Sequence, residues 1–308
     1  MLLGQQLGTY GPSKHGNHSD TTLAAVRAGE RAGLDSIWLP DHFMFPDHRR
    51  PEREVPEFDC FVALGAIAAA TSRVRIGALV AGVPYRNPAL LAKMSTTLDV
   101  ISHGRSIVGL GAAWHKEEFE AYGWPFPSVR ERMQRLEEAV QIVDLMMTQR
   151  PASFSGEYYT IKDAYNDPPA VQQPRPPIMI GGSGEKVTLR LVAQYADFSN
   201  VNGDPNEVAR LYGVLREHCE RVGRPFEQVT RCNNIGLLIA ANERELAAKR
   251  ERHGDDLDLV GTPDAIVDGL RRYAEAGSQY VTFHMPDAYE IEPILLLGET
   301  VVPSMADV

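Results

Sequence analysis

Cysteine is scarce in this sequence: Cys60, Cys219 and Cys232 stand far apart and form no CxxC pair. That spacing gives no support to a disulfide framework or a zinc knuckle, so all three are read as reduced packing residues. Positive charge is short as well, with 31 Lys and Arg against 41 Asp and Glu and a formal net charge of −10. Such a surface repels a phosphate backbone, and no basic tract is interleaved with aromatics, so no nucleic-acid partner is expected. Long apolar runs are missing, which argues against a membrane span. The first residues, Met1-Leu2-Leu3-Gly4-Gln5-Gln6, lack the basic region and long apolar core of a signal peptide, and the cytoplasm is the expected location.

Several catalytic signatures are lacking too. Gly109-Leu110-Gly111-Ala112-Ala113-Trp114 carries an indole where a GxGxxG fingerprint needs its third glycine. Gly181-Gly182-Ser183-Gly184-Glu185 lacks the last glycine of a nucleophile elbow, and no GxxxxGK[ST] loop exists. Without HExxH or an HxH pair at a strand end, metal-assisted hydrolysis is demoted. What is present is an ordinary globular composition, 44% hydrophobic and 23% charged.

The order of apolar and amphipathic segments carries the fold. Strands are expected at Leu2–Thr9, Asp35–Asp41, Arg73–Ala81, Ser106–Gly111, Pro177–Gly181, Asp197–Val201, Thr230–Ala240 and Gln279–His284. Helical patterns separate them. The clearest runs from Ser128 to Thr148, where Ser128 with Glu131 fits a capping box and Met133, Leu136, Val140, Val143 and Met147 recur at helical steps. Short apolar strands alternating with helices specify parallel pairing, and eight such units predict an α/β fold of the (β/α)8 TIM-barrel class. A doubly wound open sheet is the alternative, but Gly8-Thr9-Tyr10-Gly11 is not the glycine fingerprint it favours. Residues 1–308 are read as a single domain with two insertions: a long proline-marked loop, Met44 to Glu57, after strand two, and the segment Phe154 to Pro177 before strand five. Inside that later insertion, Gly156 to Ile161 has the pattern of part of a small hairpin.

Three constellations fall at carboxyl ends of the expected strands, where ligands bind in parallel α/β folds. Asp41-His42-Phe43 follows strand two, and there an imidazole can exchange a proton near neutral pH while a carboxylate orients it. A loop histidine satisfied by backbone is the plain alternative. Gly111-Ala112-Ala113-Trp114 follows strand four, where small residues let a flat ring lie against backbone and Trp114 can wall it. Close packing explains the same residues. Gly181-Gly182-Ser183 lies between strand five and a helix, a natural phosphate cradle or a simple flexible turn. Together they outline a pocket for a flat ring with a phosphate tail.

The chain resembles the luciferase-like monooxygenase family, of the deazaflavin (coenzyme F420) or flavin oxidoreductase type. The resemblance is carried by Gly33-Leu34-Asp35-Ser36-Ile37-Trp38 through Asp41-His42-Phe43, by Arg86-Asn87-Pro88-Ala89-Leu90-Leu91-Ala92-Lys93, by Ser102-His103-Gly104-Arg105 through Trp114-His115-Lys116-Glu117-Glu118-Phe119, by Pro177 through Gly182, by Glu131-Arg132 with Leu136-Glu137-Glu138-Ala139, and by Ser155-Gly156-Glu157-Tyr158-Tyr159. It implies a hydride transfer between F420 and a small organic substrate, with His42 as proton donor or acceptor. Asp41 and His42 would lie at the ring, beside the small residues Gly111, Ala112 and Ala113 read above, and Gly181, Gly182 and Ser183 at the phosphate. A non-proline cis peptide is implied at Leu79-Val80. Trp114 departs from the sugar-phosphate dehydrogenases of the family, which carry a glutamate there, and points to a more apolar substrate. An FMN-dependent monooxygenase using oxygen, and a non-catalytic flavin-binding barrel, are the other readings. A homodimer is implied, with cofactor and substrate as its only other partners.

Overall fold

A computed structural model describes residues 1–8, 17–47 and 50–308. Thr9, the end of the expected first strand, lies outside the described residues. The chain divides into two compact units, Met1–Trp38 with Arg73–Arg75 and Gly182–Val308, and Leu39–Ser72 with Ile76–Gly181.

The first unit is built on parallel strands. β1 (Leu2–Gln6) pairs with β8 (Tyr280–His284) on one side and with β2 (Ser36–Leu39) on the other, in registers Leu2↔Tyr280 and Gly4↔Ser36. β7 (Thr230–Ile239) lies between β8 and β6 (Phe198–Asn202), with Cys232↔Tyr280 and Phe198↔Thr230. Their inner positions are buried, the apolar Leu3, Val201, Ile235 and Val281 together with the polar Gln5, Ser199, Asn233 and Thr282. Helices α1 (His18–Arg31), α6 (Thr188–Tyr195), α7 (Pro205–Val222), α8 (Glu243–His253), α9 (Pro263–Glu275) and α10 (Ile291–Leu296) belong to the same unit. Asn17, Asp204 and Asn242 cap their helices by each accepting a first-turn N–H, and Pro205 and Pro263 sit at first helical positions.

In the second unit β4 (Ser106–Gly111) is central. β3 (Arg75–Ala78) pairs with it at Ile76↔Ser106, and β5 (Ile178–Gly181) pairs on its other side at Ile178↔Val108. The helices are α2 (Cys60–Ala70), α3 (Pro88–Ile101), α4 (Lys116–Ala121) and α5 (Val129–Thr148). Ser128 Oγ accepts from Glu131 N at 3.2 Å, the cap expected from the sequence. Leu136, Ala139, Val140 and Val143 then form the buried stripe of α5. Among the described residues the eight core strands alternate with helices in the order of a (β/α)8 fold.

Three local expectations need correction. Strand three stops at Ala78, and a separate two-residue piece, Ala81–Gly82, pairs with β4 at Ala81↔Leu110. The break is the cis Leu79–Val80 peptide. The segment read as a long loop after strand two is an antiparallel hairpin, Met44–Asp47 with Arg50–Pro56. Its prolines hid it, because proline is tolerated in a two-stranded ribbon in which both strands are edges. A short strand, Leu259–Gly261, joins β7 and was not expected. The hairpin around Gly156 is present, as Ala152–Ser155 with Thr160–Ala164. All three cysteines are free and buried.

Candidate active site

β2 ends at Leu39, and Asp41 and His42 lie in the non-strand segment beyond it. They have separate partners. Asp41 is 2% exposed, and its Oδ2 accepts from Gly82 N at 2.9 Å and from Arg86 Nη1 at 2.6 Å. Arg86 also reaches Asp59, at 3.1 Å, and stacks on Phe61 with its guanidinium carbon 5.1 Å from the ring centroid. Burial pushes the Asp41 carboxyl above its ordinary value, and the charge and hydrogen bond of Arg86 oppose that without cancelling it. Its second oxygen, Oδ1, is buried and has no hydrogen-bond partner among the described residues.

His42 turns to Glu118 instead. Its Nδ1 lies 3.0 Å from Glu118 Oε2, which also accepts from the Tyr85 hydroxyl at 2.5 Å. Glu118 Oε1 takes the backbone N–H of Phe43 and, at 3.0 Å, that of Met44. The carboxylate is fully buried. Burial alone would raise its pKa, but the bonds from His42, Tyr85, Phe43 and Met44 outweigh burial and hold it below the ordinary glutamate value. Aromatic packing fixes the loop that carries these groups. Phe43 lies against Tyr85, Tyr122 and Trp124 with centroids 5.3, 4.9 and 5.4 Å away.

Trp114 stands edge-on to His42, with ring centroids 5.6 Å apart, and is 57% exposed. It follows Ala113, which holds φ +57° in the left-handed region that an L side chain rarely adopts. Ala112 and Ala113 are half-buried beside it. His115, by contrast, is buried and lies 3.2 Å from Glu117.

The Leu79–Val80 bulge is where the resemblance placed it, and Val80 packs between two glycines. A Cβ at Gly111 would stand 2.5 Å from Val80 Cγ2, and one at Gly181 would stand 2.9 Å from Val80 Cγ1. No other residue fits either position without moving Val80, whose branched side chain is stiff. Asp41, His42, Leu79, Val80, Gly111, Ala112, Ala113, Trp114 and Gly181 thus belong to one unit. Gly182 and Ser183 belong to the other, where Gly182 has φ +127° and donates its N–H to Asn200 O at 2.8 Å. Ser183 Oγ accepts from Asn202 N at 3.0 Å. The helix after them begins at Thr188, with no side-chain cap on its first turn.

Sequence reasoning missed Glu118 and Tyr85 as site residues. The signal for Glu118 was a short acidic helix after strand four, but Glu117, Glu118 and Glu120 are alike in sequence. Only Glu118 shares the buried face with Phe119.

Comparison with known proteins fits this architecture. A family model described as luciferase-like monooxygenase matches residues 1–254. An F420-dependent glucose-6-phosphate dehydrogenase of Amycolatopsis mediterranei is 28% identical, over 93% of this chain and 94% of its own. The solved structure of an F420-dependent secondary alcohol dehydrogenase, in complex with an F420-acetone adduct, superposes with a TM-score of 0.84 at 20% identity, covering 99% of both chains. A monooxygenase from Streptomyces bottropensis superposes with a TM-score of 0.82 at 20% identity, over 99% of this chain and 100% of that one. At that identity the two structural likenesses speak to fold alone.

Proposed function

We propose, from the premise that this chain belongs to the luciferase-like monooxygenase family, that it is an oxidoreductase moving a hydride between coenzyme F420 and a small organic substrate. His42 carries the accompanying proton. The observation that supports this best is the His42 imidazole, bonded through Nδ1 to a buried Glu118 and standing beside the exposed face of Trp114. An imidazole so held can exchange a proton with a substrate hydroxyl or carbonyl near neutral pH.

The residues present fit a flat, hydrogen-bonding ring. The bulge at Val80 lies between Gly111 and Gly181, and Asp41 keeps an acceptor oxygen without a partner among the described residues. We assign Leu79, Val80, Gly111, Ala112 and Ala113 to the ring, and Gly181, Gly182 and Ser183 to the phosphate. Asp41 acts there through Arg86 and Gly82, which it ties to the end of β2. When bound, the deazaflavin supplies a ring carbon, C5, that gives or takes a hydride. The Amycolatopsis relative named for that coenzyme supports F420 over FMN. Trp114, where a sugar-phosphate dehydrogenase of this family would carry a carboxylate, favours a more apolar substrate than a sugar phosphate. The match along nearly the whole of that relative supports treating residues 1–308 as one domain.

Binding of F420 and FMN, measured side by side by fluorescence quenching and calorimetry, tests the reading. F420 should bind; no binding of either redox form would sink it. Oxygen consumption with reduced FMN, and none with reduced F420, would favour the monooxygenase reading instead. A non-catalytic barrel is separated by His42→Ala, which should abolish turnover while leaving most cofactor affinity. A pure binder has no turnover to lose.

We further propose a cytoplasmic homodimer. Helix α2 carries no charged residue, and Val62 on it is 75% exposed, next to a packed neighbour α3 on which Leu90 and Ile101 are 52% and 44% exposed. Light scattering should give twice the chain mass, and Val62→Lys with Leu90→Lys should halve it.

A further inference from the structure

Glu118 presents an acceptor set that is already full. An ionised carboxylate has roughly four lone-pair sites and no proton to give. Here those sites meet the Tyr85 hydroxyl and the His42 ring at Oε2, and the Phe43 and Met44 amides at Oε1. The carboxylate has no freedom to rotate, because the two amides belong to the backbone that leads out of β2. Its hydrogen bonds hold it ionised. The ring nitrogen facing it must then be the one that carries hydrogen.

We infer that Glu118 is a positioning residue that locks neutral His42 in the Nδ1–H tautomer, so that Nε2 is the ring nitrogen without hydrogen and the basic atom of the neutral ring. The two ring nitrogens are distinct, and the bond made by one decides the state of the other. With Nδ1–H fixed on Glu118, the neutral ring takes a proton only at Nε2, and the imidazolium gives one up only from Nε2 without breaking the Glu118 bond. Ionised Glu118 also stabilises the imidazolium that exists between the two events. The assignment goes beyond naming His42 as proton carrier, on which only its activity arm rests.

The same geometry says what Glu118→Gln does. A glutamine has one acceptor oxygen and one donor nitrogen. Two backbone N–H groups cannot turn away, whereas the Tyr85 hydroxyl can, so the amide oxygen stays on Phe43 and Met44. The amide nitrogen then faces His42 Nδ1 and donates to it. The tautomer inverts to Nε2–H, and the base at Nε2 is lost.

The test is nitrogen-15 NMR of selectively histidine-labelled protein at alkaline pH, with the His42 signals identified by their loss in His42→Gln. Full-length protein should show His42 as Nδ1–H, Glu118→Gln should show Nε2–H, and Tyr85→Phe, which removes one donor and leaves the carboxylate, should keep Nδ1–H. Turnover with F420 should fall about a hundredfold or more in Glu118→Gln, with KM for F420 little changed. Circular dichroism establishes that the variant is folded. An Nε2–H signal in the unsubstituted protein, an unchanged tautomer in Glu118→Gln, an inverted one in Tyr85→Phe, or full turnover despite inversion would each overturn the inference. If the unsubstituted protein binds no F420, the function reading fails, and the NMR arms still decide the tautomer.

Discussion

Replacing Arg86 with methionine tests the electrostatic design around β2. Arg86 is 9% exposed and Asp41 1% exposed at their side chains, 2.6 Å apart, while Asp59, the second partner of Arg86, is 39% exposed. Removing the cation leaves a buried carboxylate with Gly82 N–H as its remaining donor, and breaking a buried pair in this way costs about 3–5 kcal/mol. With an unfolding entropy of roughly 2.1 cal/mol/K per residue, that loss over 308 residues lowers Tm by about 5–8 °C. The variant should also be pH-sensitive with a definite sign. Burial already raises the Asp41 pKa above its unfolded value, and loss of Arg86 raises it further. Between the unfolded and folded values the native state binds the extra proton, so stability falls as pH rises through that window and is recovered on acidification. Urea unfolding at pH 7.5 and pH 5 should show the variant's deficit shrinking at the lower pH. Asp59→Asn, which keeps a cap on α2, should cost less than about 1 kcal/mol. A deficit in Arg86→Met below about 1 kcal/mol, or one independent of pH, would refute the reasoning.

Other consequences follow from single groups. Gln5 is fully buried and neither of its amide atoms has a partner among the described residues; Gln5→Met should raise stability by about 1–3 kcal/mol, read from the urea midpoint, and destabilisation would show that the amide is satisfied. Gly111→Ala puts a methyl 2.5 Å from Val80 Cγ2 and should cost about 1–3 kcal/mol in thermal unfolding, together with weaker F420 binding. Glu118 has a lowered folded pKa, so its stabilisation is complete above the unfolded value near 4.5 and is lost as pH falls through the folded one. Acid titration of unfolding free energy should accordingly be shallower in Glu118→Gln than in the unsubstituted protein.

The strands and helices were legible because burial is written locally. A strand buried on both faces reads as a continuous apolar run, which is why Ser106–Gly111 has the same ends in sequence and structure. Ser128 caps α5 within its first turn, and that signal spans only the four residues Ser128 to Glu131. The hairpin Met44–Asp47 with Arg50–Pro56 was not legible, because its prolines carry the same meaning in an edge ribbon as in a loop.

The sequence by itself determined the order of the elements and the family resemblance, and it singled out His42 as the candidate imidazole. It left the partner of that imidazole open, and the adjacent Asp41 was the natural candidate. Only the tertiary structure decided otherwise. Past the end of β2 the two side chains diverge, so Asp41 is drawn to Arg86 and Gly82 while His42 meets Glu118, 76 positions along the chain. Arg86 and Gly82 take up the neighbouring carboxylate, and packing of α4 through Phe119 brings the distant one to the ring.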